Sequence, residues 1–122
     1  MPGVRTLDQE RAAYAWAKLV SCTGEYVNLV KGAPALVMGN GLMQALAYYQ
    51  DKSNDGRQLV KHIGQWLKQR GLTSGDDFES VMRSLHESDA LKYMHATTET
   101  LELLKWIKQI GAAKQAREGT NA

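Results

Sequence analysis

The chain has 122 residues, with 15 Lys and Arg against 13 Asp and Glu for a net charge of +2, so no strong overall field directs it to a polyanion or a membrane. That length makes one domain with a single modest core, and its 1 cysteine, Cys22, excludes an intrachain disulfide and a four-cysteine zinc site. With 2 prolines, 1 phenylalanine and no long alternation of β-branched residues, the expected fold class is all-α, a single-domain helical bundle of about five to six helices.

Thr6 or Asp8 caps a first helix running to about Cys22, with Ala12, Ala15, Trp16 and Leu19 on one face and Gly24 ending it. A short helical segment spans Tyr26 to Val30, and Lys31-Gly32-Ala33-Pro34 breaks the chain. Pro34 marks the start of the next helix, because its missing N–H is unpaired in a first turn anyway. That helix is expected from Ala35 to Gln50, with Leu36, Leu42, Leu46 and Tyr49 forming an apolar stripe joined by Met38, Met43 and Ala45. Gly39 and Gly41 lie inside it, each costing roughly 1 kcal/mol relative to Ala, which points to a kink or to close approach of another backbone.

Lys52-Ser53-Asn54-Asp55-Gly56 reads as a turn. From Arg57 a helix follows with Leu59, Ile63, Trp66 and Leu67 on its inner side and Gly71 as its C-terminal stop. After Thr73-Ser74-Gly75-Asp76, a helix over Asp77 to Leu85 turns Phe78, Val81, Met82 and Leu85 inward. Ser88 or Asp89 caps the last helix, which reaches at least Ile110 and buries Leu91, Met94, Thr98, Leu101, Leu104, Trp106, Ile107 and Ile110. Trp16, Trp66 and Trp106 each fall in an apolar helical pattern and read as core anchors. The ordered core is expected over about residues 7–111, with 112–122 a frayed or disordered tail. Arg5, Asp8, Glu10 and Arg11 interrupt any apolar leader, and no apolar stretch is long enough to span a bilayer. A cytoplasmic location is therefore expected.

Catalytic signals are missing. His62, His86 and His95 form no metal-binding pair; His95 and Glu99 share a helix face but supply only two ligands. Gly39-Asn40-Gly41 lacks the Lys-Ser/Thr and the strand context of a phosphate loop, and no nucleophile has a base partner. No enzyme activity, cofactor, metal or small-molecule substrate is expected. The charge is segregated instead. Arg57, Lys61, Lys68 and Arg70 occur on one helix without an acid; Asp76, Asp77, Glu79, Glu87 and Asp89 follow with Arg83 alone; Lys105, Lys108, Lys114 and Arg117 make the end basic again. A basic strip suits phosphates through counterion release, while paired basic and acidic patches suit head-to-tail stacking of identical copies. A protein-interaction module without nucleic-acid contact, its Arg57–Arg70 helix docking an acidic segment of a neighbour, fits the same pattern.

Several segments carry a resemblance: Arg11-Ala12-Ala13-Tyr14-Ala15-Trp16, Pro34-Ala35-Leu36, Asn40-Gly41-Leu42-Met43-Gln44-Ala45-Leu46-Ala47-Tyr48, Ile63-Gly64-Gln65-Trp66-Leu67 and Thr98-Glu99-Thr100-Leu101-Glu102-Leu103-Leu104-Lys105-Trp106-Ile107-Lys108. Together, from about Leu7 to Ile110, they resemble the small α-helical subunit of type III-B (Cmr) CRISPR RNA-targeting complexes. The type III-A (Csm) small subunit is a related possibility, but Asn40-Gly41-Leu42, Trp66 and Trp106 look more like the Cmr version. The resemblance implies a non-catalytic bundle whose copies stack into a filament beside other Cmr-type subunits, lining a channel for the guide RNA and target RNA duplex. By the family's pattern, Arg11, Lys18, Lys31, Asn40 and Gln44 face the nucleic acid, where a cation or amide meets phosphates beside a glycine-thinned backbone. Lys61, Lys68, Lys105 and Lys108 form a second set, equally explicable as solubility or subunit-contact charges. The turn Asp51 to Gly56 departs from the family pattern and leaves Lys52 and Arg57 without an implied role.

Overall fold

A computed structural model describes the backbone of residues 4–121 and the side chains of residues 4–116. Its helices are α1 (Leu7–Leu19), α2 (Gly24–Lys31), α3 (Ala33–Asn40), α4 (Leu42–Lys52), α5 (Asn54–Gln69), α6 (Phe78–Glu87) and α7 (Ala90–Asn121). No strand occurs among the described residues, and α3 and α4 together occupy the place of the single helix expected over Ala35 to Gln50. Helix α7 continues through 112–121, most of the segment expected to fray; Ala122 and the side chain of Arg117 lie outside the described residues.

The caps explain most of the boundaries. Thr6 and Gln9 form a reciprocal capping box at α1, satisfying two N-terminal N–H groups at once. Thr23, Ser53, Asp77 and Asp89 each accept from a backbone N–H in the following first turn. Gly24 opens α2 rather than ending α1, because Thr23 in front of it is the cap. The expected turn over Lys52 to Gly56 contracts to Ser53, since that serine starts α5 at Asn54. Pro34 lies in the first turn of α3. At the other end of α5, Gly71 has φ 74° and donates to the Lys68 carbonyl while Leu72 donates to that of Leu67, the paired reversal that a left-handed glycine permits.

Gly41 carries the break between α3 and α4. Its φ of 91° with ψ of 157° is open to glycine and strained for other residues. Of the two outcomes expected for the glycine pair, a kink at Gly41 is the one found: a Cβ at Gly39 would meet nothing within 4 Å. Close backbone approach occurs at Gly64, where a Cβ would collide with the Asp76 carbonyl.

The last helix is the spine. α1 and α2 pack along α7, and α4 packs along α5 to close the bundle. Trp66, Tyr26, Leu42, Leu46, Leu59, Ile63, Leu67, Leu85, Leu103, Leu104 and Ile107, with Val30, are among its fully buried side chains. Each such apolar side chain stabilises the fold by about 1.5–3 kcal/mol. Three expectations for the core need correction. Trp16 is 56% exposed, because Ala15 and Leu19 turn toward α7 and leave it on the flank, covered by Lys114 Nζ at 4.7 Å from its ring. Leu91 and Met94 are 78% and 61% exposed, and Thr98 is exposed as well. The buried row of α7 runs instead through Ala96, Glu99, Thr100, Leu103, Leu104 and Ile107, one row around the helix. Met38, expected in the apolar stripe, is also exposed. Trp66 is fully buried, and half-buried Trp106 donates its Nε1–H to Asp8 at 2.9 Å.

Candidate nucleic-acid interface

The nominated residues divide according to what holds them. Arg11 is engaged inside the fold. Its Nε and Nη2 donate to the two Glu99 oxygens at 2.8 and 2.9 Å, and Nη1 reaches Asp8 at 3.2 Å. Glu99 is only 2% exposed and also accepts from Trp66 Nε1 at 2.9 Å. The hydrogen-bonded guanidinium holds the Glu99 carboxyl below its ordinary pKa, against the upward pull of burial. Arg11, Glu99 and Trp66 thus lock α1, α7 and α5 together. The sequence offered Glu99 only as a weak partner for exposed His95; its spacing of three and four from Ala96 and Leu103 was the signal that it lies in the buried row.

Lys18 and Lys61 come together. A groove of about 310 Å³ between α1 and α5 is lined by Lys18 and Ser21 on one side and by Gln58, Lys61, His62 and Gln65 on the other. The last four repeat at helical spacing, which sets them on one stripe of α5. Tyr14 bridges the two helices: its hydroxyl donates to the His62 carbonyl at 2.6 Å and its ring centroid lies 4.9 Å from that of Trp66. Lys18 Nζ rests 5.1 Å from the Tyr14 ring centroid, which holds the ammonium on the α5 side of α1.

His62 is 6% exposed, and its Nδ1 lies 2.6 Å from the hydroxyl of fully buried Tyr26. Burial first, and then the positive charges of Lys18 and Lys61, push its pKa down to about 4. The imidazole is therefore neutral at pH 7, and the two lysines give the groove its positive charge.

The other nominated residues stand apart from this groove. Lys31, Asn40 and Gln44 are exposed at the end of α2, at the end of α3 and on α4. Lys68 and Lys108 are exposed, while Lys105 pairs with Glu102 at 3.4 Å. Arg57, Lys61 and Lys68 on α5 are exposed, as is Arg70 just beyond it, which pairs with Glu10 at 3.5 Å; Asp77, Glu79, Glu87 and Asp89 on and around α6 are exposed too. Among the described residues, no group of three or more His, Cys, Asp or Glu side chains is placed to hold a metal ion. Nor is any described helix long and apolar enough to cross a membrane.

The relatives of this chain share the architecture. The family model for the CRISPR-associated protein Cas_Cmr5 matches residues 7–114. The CRISPR system Cmr subunit Cmr5 of Thermus thermophilus is 29% identical over 115 residues, covering 90% of this chain and 96% of that one. The same-named subunit of Thermotoga maritima is 29% identical over 90 residues, covering 71% of this chain and 64% of its own. A crystal structure of a Cmr5 family protein, also from Thermus thermophilus, superposes with a TM-score of 0.76 at 27% identity, over 89% of this chain and 97% of that one. The matches fall on the type III-B side of the two possibilities the sequence left open. The chain belongs to the Cmr5 family of CRISPR-associated proteins, the small subunits of type III-B Cmr systems.

Proposed function

We propose that this protein is a non-catalytic structural subunit of a cytoplasmic type III-B ribonucleoprotein, where copies of it stack beside other Cmr subunits and help line the channel for guide and target RNA. The observation that carries this reading is the separation of exposed charge. Arg57, Lys61 and Lys68 project from α5, with Arg70 just beyond it paired to Glu10, whereas Asp77, Glu79, Glu87 and Asp89 project from and around α6; the two sets border each other at a groove lined by Arg57, Lys61, Asp76 and Asp77. Charges of opposite sign carried by successive helices of one chain suit a heterologous contact between copies, which can propagate as an open stack. Lys18, Lys31, Asn40, Gln44 and Lys61 are the groups proposed for RNA, as Arg11 already has Glu99 and Asp8 as partners.

The test is purification of the tagged protein from its native host with its bound proteins and RNA. Recovery of large CRISPR-associated subunits and short guide RNAs supports the reading, and reversing the charge of Lys18 and Lys31 together should then weaken RNA retention by the complex. Unchanged retention argues against these residues. Recovery of the protein alone, with self-association that salt abolishes and nuclease leaves intact, favours a free-standing interaction module.

A further inference from the structure

We propose that the α1–α5 groove holds a backbone phosphate of a single RNA strand, with His62 Nε2–H as a fixed neutral donor between the ammonium groups of Lys18 and Lys61. The inference rests on the RNA-channel reading and assigns it a particular contact.

The argument starts from Tyr26. Its hydroxyl is buried, and burial pushes its pKa upward, so it keeps its proton. A buried O–H needs an acceptor, and the partner it has is His62 Nδ1 at 2.6 Å. Donation from Tyr26 leaves Nδ1 without a proton and fixes the neutral imidazole as the Nε2–H tautomer. The reverse arrangement, with Nδ1–H donating to the phenol oxygen, would leave the tyrosine proton buried and unpaired. Among the described residues Nε2 has no hydrogen-bond partner, and it is not among the fully buried unpaired atoms. His62 lines the groove. In this assignment its free N–H meets the open space that Lys18 and Lys61 also line.

The chemistry of that donor set selects an anion. The two ammonium groups and the neutral N–H offer only donors, while Ser21, Gln58 and Gln65 alongside can both donate and accept, with Gln65 Oε1 buried and unpaired. No acidic side chain lines this groove, in contrast to the neighbouring one, where Lys61 faces Asp76 and Asp77. A monoanionic phosphodiester fits two flanking lysines through charge and a fixed N–H through direction. Tyr26 acts here as a positioning residue: it sets the tautomer and touches no ligand.

The experiment is a titration of the full-length protein, with its histidine ring nitrogens labelled, against a short oligouridylate. The same oligomer with an uncharged methylphosphonate backbone and inorganic phosphate serve as comparison probes. The His62 Nε2–H signal should shift saturably with oligouridylate, weakly with inorganic phosphate, and not with the uncharged oligomer. Lys18→Gln with Lys61→Gln should weaken oligouridylate binding at least tenfold and lower the salt slope by about 0.7, the value for one phosphate of a single strand. Tyr26→Phe leaves both lysines in place; it should give mixed imidazole tautomers and weaken binding severalfold. If RNA binds with the His62 ring unmoved, or the double lysine variant binds like the parent, the phosphate site is refuted while the channel reading stands. If neither the protein nor its assembled complex retains RNA, the channel reading fails and takes the site with it.

Discussion

Replacing Arg11 by Met tests whether the α1–α7 tie is a buried charge pair or a surface one. Two short hydrogen bonds of 2.8 and 2.9 Å end on a carboxylate that is 2% exposed, so Met at position 11 leaves Glu99 charged, desolvated and held by Trp66 alone. Removing one partner of such a pair costs about 3–5 kcal/mol. With an m-value of about 2 kcal/mol/M, the urea midpoint should fall by about 2 M at pH 7. Adding Glu99→Gln removes the orphaned charge and keeps an oxygen for the Trp66 N–H, so the double variant should recover about 2 kcal/mol of the loss. pH supplies a further check. Arg11 lowers the Glu99 pKa, so in the parent this contribution is present above the ordinary glutamate value and is lost as pH falls through the lowered one. In Arg11→Met the carboxyl pKa rises with burial, so the gap between variant and parent should narrow between pH 7 and pH 5. The assay is urea unfolding of the parent, both single variants and the double, followed by helical circular dichroism. A cost for Arg11→Met under about 1 kcal/mol, or penalties that simply add, would refute the reasoning and class the contact with exposed ion pairs.

Two glycines should respond in opposite directions to Ala. Gly39→Ala meets empty space in a helix and should raise stability by about 0.5–1 kcal/mol, whereas Gly64→Ala drives a methyl into the Asp76 carbonyl and to 3.1 Å from Val81, and should cost about 1–3 kcal/mol in thermal melts. Equal responses would deny the close approach of α5 to the Asp76 loop. His62, with a folded pKa of about 4, should make the protein less stable as pH falls from about 6.5 toward 4, because the unfolded imidazole takes up a proton that the native one refuses. His62→Asn should lose that part of the slope, about 2–3 kcal/mol across the interval; a pH profile identical to the parent's would show that the imidazole is not held neutral.

Local rules made much of the fold legible. Thr6, Pro34, Asp77, Asp89 and Gly71 act on backbone groups a few residues away, and each marks the helix end it was expected to mark. Gly24 and the Lys52–Gly56 segment misled, because a capping Thr or Ser immediately upstream outweighs a glycine's tendency to break a helix. On α7 the apolar period slid by one row. Two polar residues, Glu99 and Thr100, occupy the buried row: Glu99 is paired with Arg11 of α1 and Thr100 donates to the Ala96 carbonyl one turn back in α7, and periodicity of apolar residues registers neither. The candidate site was legible as a set of cations and not as a place. Lys18 and Lys61 meet only because α1 and α5 face one groove, and Arg11 is withdrawn from the set by a residue 88 positions away. The Tyr26–His62 contact has no sequence signature at all, since it depends on the docking of α2 against α5.

The tie between the first and last helices also bears on how the protein is made. Asp8 and Arg11 find their partners 98 and 88 residues later in the chain. During synthesis α1 leaves the ribosome long before α7 exists, and a 13-residue helix is marginal by itself in water. Its apolar side must stay open to solvent, or to a chaperone, until Leu103, Leu104 and Ile107 emerge. Closure of the bundle is thus a late, whole-chain event rather than a vectorial one. Translation products cut short before that row lack the spine along which α1 packs, and should be more open to proteolysis than the full chain.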